Sequence, residues 1–300
     1  MATPIGNLAD LTLRAIETLA RVDAVACEDT RVTGRLLAWI GVDKPLLALH
    51  AHNEAAASAA VLGRLERGER VACVSDAGTP GISDPGAGLV ARVAGAGVRV
   101  VPLPGASSVV AALSVAGDTA ASGFEFHGFV AARGAQRETT LATIALAPAS
   151  QVVFESPHRI AALAAALAAH CPARRVTVAR ELTKQFEEIA TLPAAALPRW
   201  LATRGEDGAV EGPGRGRERG EFVLVLHAAA ATPPDEGSVD AATQAMLDAL
   251  LDVLPLSVAV RLTARLTQTP RNAVYAAALA RGGREPGPAS DGGEPGEKAR

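Results

Sequence analysis

The stretch VSDAGTPGISDPG, residues 74–86, places three glycines, two prolines and two aspartates in thirteen positions directly after an apolar run. Glycines let the main chain approach a ligand closely, and prolines fix its path so that amide groups point one way. Such a loop suits a cofactor that is held largely by main-chain groups. Asp76 could accept a hydrogen bond from a ribose hydroxyl, or it could simply tie the loop together.

Three further loops are predicted at the same edge of a parallel sheet, where the strands have their carboxyl ends and ligands bind. They are TPIGN (3–7), EDTR (28–31) and PLPGASS (102–108). One Gly/Pro loop could equally be an ordinary turn, but four at one edge predict a ligand cleft.

The sequence restricts the class of that ligand. It contains no GxxxxGK[ST] phosphate loop, and no GxGxxG fingerprint follows a strand. The SDAGTPG loop superficially resembles the acidic loop of the common nucleotide-fold methyltransferases. That class expects an acidic residue at the end of the next strand, which here ends in VVPLPG. The common methyltransferase fold is therefore disfavoured.

The elements that position these loops alternate between strand and helix over the first 118 residues, which predicts a doubly wound parallel sheet. Asp10, Asp84 with Pro85, and Ser107 or Ser108 are the expected helix caps. Strands are predicted in DAVACEDTR, KPLLALHAHN, RVACVS and VRVVPLPG, and helices at 10–21, 33–40, 54–68, 84–97 and 106–117.

A second α/β unit is predicted from GFEFHGFV to the strand at 220–228, and three short helices at 238–281. A Gly/Arg-rich segment before that strand is expected to be flexible, and the polar, Gly/Pro-rich end to be disordered. The predicted domains are 1–119, 120–230 and 238–281, followed by a disordered tail at 282–300.

Composition sets outer bounds on the function. The chain has 300 residues, of which 49% are hydrophobic, and no apolar run long enough to span a bilayer. No N-terminal secretion signal is recognisable, so we expect a cytoplasmic protein without a membrane partner. Cys27, Cys73 and Cys171 are expected to be reduced thiols. A net charge of −3 restricts any nucleic-acid contact to a local patch.

Seven motifs occur in order along the chain: ATPIGNLADLT, EDTR, HAHNE, SDAGTPGISDPG, PLPGASS, FESPHR and ARELTKQFEE. Together they resemble the ribosomal RNA small subunit methyltransferase I family, a branch of the tetrapyrrole (precorrin) methylases. The resemblance spans roughly residues 2–228 and is weaker over the helical C-terminal segment.

The resemblance implies two α/β domains of tetrapyrrole-methylase type, the first with a parallel sheet and the second with a mixed sheet, plus a small helical C-terminal segment. It implies S-adenosylmethionine in the cleft between the domains and a homodimer. The implied reaction is methylation of the ribose 2′-hydroxyl of a cytidine in the decoding region of 16S ribosomal RNA, within the 30S subunit. Family members carry an apolar strand before TPIGN, whereas this chain starts at MATPIGN. We therefore expect a misassigned start or a truncated strand, with the first cofactor loop unseated.

The cofactor-binding residues implied by the resemblance lie in the cleft loops, and most would act through their main chain. They are Pro4, Gly6, Ser75, Asp76, Ala77, Gly78, Pro80, Ile82, Ser83, Pro104, Gly105 and Ser107.

Because a sulfonium methyl donor is already activated, the enzyme mainly needs to align the attacking hydroxyl. That hydroxyl also needs a proton acceptor, or a cation that favours its alkoxide. Asp29, Glu28 and Glu155 are candidate acceptors, and Lys184 is a candidate cation. The structural alternatives are an ion-pair network in EDTR, an arginine partner for Glu155, and a solvated surface lysine.

The candidate RNA-binding residues are Arg31, His50, Asn53, His158 and Arg159. Ser156 is expected to cap a helix, which would place His158 and Arg159 at its positive end, where a phosphate could bind. The alternative for Arg159 is a salt bridge. His50 and His52 share a strand face, but they lack the further ligands that zinc requires, so no metal is predicted.

Two other functions stay open. The fold family also contains small-molecule methylases that act on tetrapyrroles, and a homologue could bind the ribosome without catalysis.

Overall fold

The computed structural model describes residues 1–50, 52–204, 209–210, 217–229 and 239–280. The chain divides into two compact units, Met1–Ala230 and Ala231–Arg300. The predicted disordered tail and most of the Gly/Arg-rich segment lie outside the described residues. The division of the first unit near residue 119 stays a prediction.

The first sheet has three parallel strands in the order β2-β1-β3, and its central strand β1 is completely buried. A 3₁₀ helix at Leu8–Asp10 precedes the first α-helix. The elements are α1 (Leu13–Arg21), β1 (Ala24–Cys27), α2 (Thr30–Trp39), β2 (Leu46–Ala48), α3 (Glu54–Glu66), β3 (Val71–Cys73), α4 (Ala87–Gly95) and α5 (Ser108–Ala116).

The predicted fourth strand, VRVVPLPG, is wrong, because residues 98–107 form neither helix nor strand. The hydrogen bond from the Ala2 amide to the Leu103 carbonyl, at 3.4 Å, is the one such link that joins this segment to the N-terminal residues in the described part. A strand needs a repeated ladder of such bonds, and a single long one does not make it.

Two of the predicted caps are corrected, and a third holds in its position only. Thr12, and not Asp10, caps α1 by accepting a hydrogen bond from the Ala15 amide. Asp84 does not cap α4, since Oε1 of Glu54 accepts from three amides at that helix terminus. Ser107 occupies the N-cap position of α5, but its side chain makes no capping bond.

The second sheet has five strands in the order β4-β5-β10-β6-β7. β4 and β5 are parallel, and the other pairs are antiparallel. The last of these strands, at Glu188–Pro193, has no counterpart among the predicted strands. The elements are β4 (Phe124–Phe129), α6 (Ala135–Leu146), β5 (Ser150–Glu155), α7 (Ile160–His170), β6 (Arg175–Arg180), β7 (Glu188–Pro193), α8 (Leu197–Ala202), β8 (Thr203–Arg204), β9 (Ala209–Val210) and β10 (Phe222–Leu226).

The central strand β10, with sequence FVLVL, separates two hydrophobic cores by its alternation. Phe222, Leu224 and Leu226 point into the core that α6, α7 and α8 complete. Val223 and Val225 point into the opposite core, which contains Val109, Ala112 and Ala116 of α5. Thus α5, which follows the first sheet in the chain, covers one face of the second sheet.

The second compact unit contains the three predicted helices, α9 (Ala241–Leu251), α10 (Leu256–Thr267) and α11 (Arg271–Ala280). They pack around Leu247, Val260, Val274 and Ala278. None of the described helices combines the length and the apolar character needed to cross a membrane.

Candidate active site

A cleft of about 430 Å³ lies in the first compact unit, between the loops at the edge of the first sheet and one end of the second sheet. Its lining residues are Ile5, Ala77, Gly78, Thr79, Ile82, Ser83, Asp84, Ser107, Ser108, Val109, Phe129, Phe154, Glu155, Ser156, Pro157, Ala179, Leu182, Glu221, Phe222 and Val223.

The 74–86 loop and the start of α5 supply one wall. Five of the predicted cofactor residues line it: Ala77, Gly78, Ile82, Ser83 and Ser107. Gly78 has a φ of +76°, which an L side chain rarely adopts, and a Cβ there would lie 3.4 Å from Cγ2 of Ile5. Glycine at this position therefore permits the close approach of Ile5 at the cleft wall.

The other predicted cofactor residues, Pro4, Gly6, Ser75, Asp76, Pro80, Pro104 and Gly105, are absent from the lining. Several of them hold the loops in place through contacts outside the cleft. The Ser75 hydroxyl lies 3.1 Å from the Gly78 carbonyl, and Asp76 accepts a hydrogen bond from the Asp29 amide at 2.9 Å. A Cβ on Gly105 would lie 2.8 Å from Cβ of Ala2.

The first loop is seated on the 74–86 loop, contrary to the expectation drawn from the N-terminal sequence. Thr3 exchanges two main-chain hydrogen bonds with Gly78, at 2.9 and 3.0 Å, and its hydroxyl donates to the Ser75 carbonyl. Gly6 packs against the segment Leu182–Lys184, since a Cβ on Gly6 would lie 2.5 Å from Cγ of Lys184.

Glu155 ends β5 and lines the cleft, with its side chain fully buried. Its Oε1 accepts a hydrogen bond from the Ser156 amide at 2.8 Å and lies 3.3 Å from Nε of Arg159. Oε2 has no hydrogen-bond partner among the described residues. Because a buried, unpaired carboxylate oxygen is costly, this atom is the one most in need of a donor from a ligand.

Lys184 lies outside the lining and is engaged by two carboxylates. Its Nζ is 2.9 Å from Oε1 of Glu181 and 3.1 Å from Oε2 of Glu221. Burial lowers the pKa of Lys184, but the hydrogen bonds to Glu181 and Glu221 outweigh burial and raise it above its ordinary value. The Lys184 ammonium is thus firmly charged, and Glu181 and Glu221 share it at the edge of the cleft.

The segment Glu181–Lys184 is strained. Glu181 and Thr183 have φ values of +51° and +66°, and a β-branched residue such as Thr183 rarely adopts this conformation. The Thr183 hydroxyl is buried and has no hydrogen-bond partner within the part of the chain that the structure describes. Strain of this kind persists only where the surrounding structure enforces it, and it clusters at functional sites.

The EDTR motif forms a local ion-pair network. Asp29 caps α2 by accepting from the Arg31 amide, and it pairs with the Arg31 guanidinium at 2.6 Å. The hydrogen bonds from Arg31 hold the pKa of Asp29 at about 2. In contrast, burial and the carboxylates of Asp84, Asp76 and Asp29 raise the pKa of Glu28. Neither Glu28 nor Asp29 lines the cleft.

Asn53 has a structural role: it accepts from the His50 amide at 2.8 Å and donates to the Ala48 carbonyl at 3.0 Å. Nδ1 of His50 is buried, and no described residue forms a hydrogen bond with it. Among the described residues, no group of three His, Cys, Asp or Glu side chains could hold a metal ion.

The FESPHR motif differs from its prediction at the helix start. α7 begins at Ile160, after a turn at 157–159, and Arg159 occupies the N-cap position without a side-chain capping bond. Ser156 is therefore not the cap. His158 is exposed beside the lining residue Pro157, and the Arg159 guanidinium donates to the Val130 carbonyl.

Sequence reasoning missed the second wall of the cleft, which is mostly apolar. It contains Phe129, Phe154, Leu182, Phe222 and Val223. It also missed two charged residues, Asp84 and Glu221. The structure shows why Glu221 reaches the cleft: it directly precedes Phe222, which pairs with Glu155 across β10 and β5.

Residues 2–198 match the family of tetrapyrrole (corrin/porphyrin) methylases, and residues 237–282 match the RsmI C-terminal HTH domain. The ribosomal RNA small subunit methyltransferase I of Pseudomonas aeruginosa is 42% identical over 95% of this chain and 97% of its own length. The protein of that name from Vibrio cholerae is 43% identical over 91% of each chain.

Among solved structures, the cobalamin biosynthetic enzyme cobalt precorrin-4 methyltransferase superposes with a TM-score of 0.54 at 17% identity, covering 75% of this chain and 92% of that one. A diphthine synthase gives 0.52 at 16% identity, covering 75% and 87%. These likenesses confirm the predicted fold class. By its sequence relatives and its fold, the chain belongs to the ribosomal RNA small subunit methyltransferase I family of the tetrapyrrole methylases.

Proposed function

We propose that this protein transfers a methyl group from S-adenosylmethionine to the ribose 2′-hydroxyl of a cytidine in the decoding region of 16S ribosomal RNA. Methyl transfer to ribosomal RNA with this donor follows from the family. The cytidine, its 2′-hydroxyl and the 30S subunit as substrate are the finer part of the proposal. The observation that carries it is Oε2 of Glu155, a buried acceptor without a partner in an otherwise largely apolar cleft.

The residues of the cleft fit the donor. Ala77 and Ser107 would hold it through main-chain groups, and the apolar wall that contains Phe129 and Phe154 would pack against its adenine ring. When bound, S-adenosylmethionine supplies a methyl group that is already activated by its positive sulfur. The protein therefore has to position the hydroxyl and accept its proton.

Glu155 is the best candidate for the proton acceptor. It lines the cleft and has a free oxygen, whereas Asp29 is used as a helix cap and in an ion pair. Glu28 lies behind the lining, and Lys184 is held by two carboxylates. We propose that Asp29, Glu28 and Lys184 support the site and set its charge. Lys184 and Glu181 also hold Glu221 and the strained segment in place.

For the RNA we propose contacts at the rim of the cleft. The Arg31 side chain is 86% exposed and His158 is exposed next to a lining residue, so both are accessible to a phosphate. Arg159 is committed to Glu155 and Val130, and Asn53 to its own turn, so their role is to shape the site. His50, with a buried free nitrogen, is a further candidate. The predicted homodimer stays a proposal.

The test is methylation of 30S subunits that lack this modification, with isotope-labelled S-adenosylmethionine. Digestion of the 16S RNA and mass spectrometry would identify the product nucleoside. The proposal expects 2′-O-methylcytidine in the decoding region and no transfer to a precorrin-type substrate. Label on a nucleobase would refute the 2′-hydroxyl, and transfer to the tetrapyrrole alone would move the function to the small-molecule class.

A further inference from the structure

All the charged side chains that line the cleft are acidic. Among its lining residues, every one of which the structure describes, the charged ones are Asp84, Glu155 and Glu221, with no lysine, arginine or histidine. A cleft that binds a neutral ligand has no need for this one-sided charge.

Two of the three carboxylates form an ion pair with a basic side chain. Glu221 pairs with Lys184 at 3.1 Å and Glu155 with Arg159 at 3.3 Å. For Asp84 no ion pair with a lysine, arginine or histidine occurs within the described part of the chain, and the same holds for its neighbour Glu28. Burial raises the pKa of both carboxyl groups, and Asp84 further raises that of Glu28.

The nearest helix terminus does not compensate Asp84 either. Asp84 lies three residues before α4, whose free amides would normally favour a nearby anion. Oε1 of Glu54 already accepts from the amides of Gly86, Gly88 and Leu89, at 3.0 to 3.3 Å. A Cβ on Gly88 would lie 2.9 Å from that oxygen, so glycine there permits the approach. Glu54 adds a further negative charge at this end.

An independent observation indicates that a ligand enters this cleft. Oε2 of Glu155 belongs to a side chain that is fully buried, it has no partner, and its residue lines the same cavity as Asp84. Within the described residues, the cleft therefore presents an unsatisfied acceptor and a carboxylate, that of Asp84, which has a hydrogen bond to Ser75 but no cationic partner.

We propose that Asp84, supported by Glu28, makes the cleft select the positively charged methyl donor over the neutral product that remains after transfer. This inference rests on the proposed function. The transfer breaks the bond between sulfur and the methyl carbon, forms a bond between that carbon and the ribose oxygen, and passes the hydroxyl proton to a carboxylate. The sulfur keeps the electron pair of its broken bond and becomes a neutral thioether. Its attraction to Asp84 is then lost, which favours release of the spent donor.

The experiment is calorimetric titration of the full chain and of Asp84→Asn with three probes. They are S-adenosylmethionine, S-adenosylhomocysteine, and sinefungin, which has an amine in place of the methylated sulfur. Asp84→Asn should weaken the binding of S-adenosylmethionine and of sinefungin about fivefold or more. It should weaken the binding of S-adenosylhomocysteine less than about twofold. The matched control is Asp43→Asn, which removes the same charge from an exposed loop between α2 and β2, at the opposite edge of the first sheet. It should leave all three affinities unchanged.

Equal weakening of charged and neutral probes by Asp84→Asn would overturn the inference, since it would indicate a contact and not a charge effect. If Asp84→Asn does not fold, Glu28→Gln gives the second test, with a smaller loss in the same direction for the two charged probes only. Failure of the unaltered protein to bind any of the probes would instead overturn the proposed donor cleft. The two failures are thus distinguishable.

Discussion

Glu155 meets Arg159 through one oxygen only: Oε1 lies 3.3 Å from Nε of the arginine, and Oε2 of the same buried carboxylate has no partner. The ion pair fixes the side chain while leaving an acceptor free at the wall of the cleft. This division between a held oxygen and a free one is what a positioned proton acceptor requires.

Glu155→Gln keeps the shape of the side chain but removes its ability to accept a proton. We expect the turnover of 30S methylation to fall about 100-fold or more, with little change in the affinity for S-adenosylmethionine. Single-turnover methylation beside donor titration would measure both. Asp29→Asn is the comparison, and a larger loss of turnover there would move the acceptor role to the EDTR motif.

Thr183→Gly should stabilise the protein. Thr183 has a φ of +66° and a buried hydroxyl without a partner, so glycine relieves strain and removes an unsatisfied group. We expect the free energy of unfolding to rise by about 1 kcal/mol in urea denaturation. The paired variant Glu181→Gly also sits at positive φ, but it loses hydrogen bonds to Lys184 and the Glu221 amide. It should therefore destabilise by about 1 kcal/mol, and a gain from both variants would contradict this assignment.

Gly6→Ala and Gly34→Ala should have opposite effects. A Cβ on Gly6 would lie 2.5 Å from Cγ of Lys184 and 3.0 Å from the Leu182 carbonyl, so the loop must shift at a cost of about 2 kcal/mol. Gly34 lies inside α2, where a Cβ has its nearest neighbour at 3.9 Å. Alanine there should add about 0.5–1 kcal/mol through helix propensity. Urea unfolding of both variants decides the matter, and similar stabilities would refute the close packing of the first loop.

His227 should make stability fall as the solution becomes acidic. Burial lowers the pKa of this imidazole below its ordinary 6.5, with Arg175 and Arg174 acting in the same direction and Asp118 against it. Below pH 6.5 the unfolded chain binds a proton at His227 that the folded protein does not bind. The contribution of His227 to the free energy of unfolding is therefore lost as the pH falls from 6.5 to the folded pKa. His227→Gln should flatten this part of the stability curve in urea titrations, and an unchanged slope would exclude the assignment.

The loops of the first sheet could be predicted because their composition is unusual and because parallel strands end at one edge. β1 and β3 lie where the sequence places them, and Gly78 and Ser107 line the cleft. Residues 98–107 differ from their predicted structure. Their apolar pattern fits a strand, but a strand forms only where a neighbour completes its hydrogen-bond ladder, and local sequence does not contain that information.

The second wall of the cleft could not be predicted for a different reason. Phe154 and Val223 are apolar residues in strands, and nothing local distinguishes a residue that faces a cleft from one that faces a core. Their position depends on β10 lying antiparallel between β5 and β6, a topology that is set by long-range packing. Asp84 was missed because its place before Pro85 suggested a helix cap, and the cap is instead Glu54, thirty residues earlier in the chain.

The loop at residues 3–7 touches both walls of the cleft, with Thr3 bonded to Gly78 and Gly6 seated against Leu182–Lys184. A short peptide that is held at both ends keeps the two elements to which it is attached at a fixed distance. The four residues from Thr3 to Gly6 set the width of the opening at this end, so the two walls cannot move apart there unless one of the two contacts breaks. Mechanical stiffness of this kind lets the hydroxyl and the methyl group meet at a fixed spacing, and it makes the geometry of the reaction depend on a loop that carries none of the chemistry.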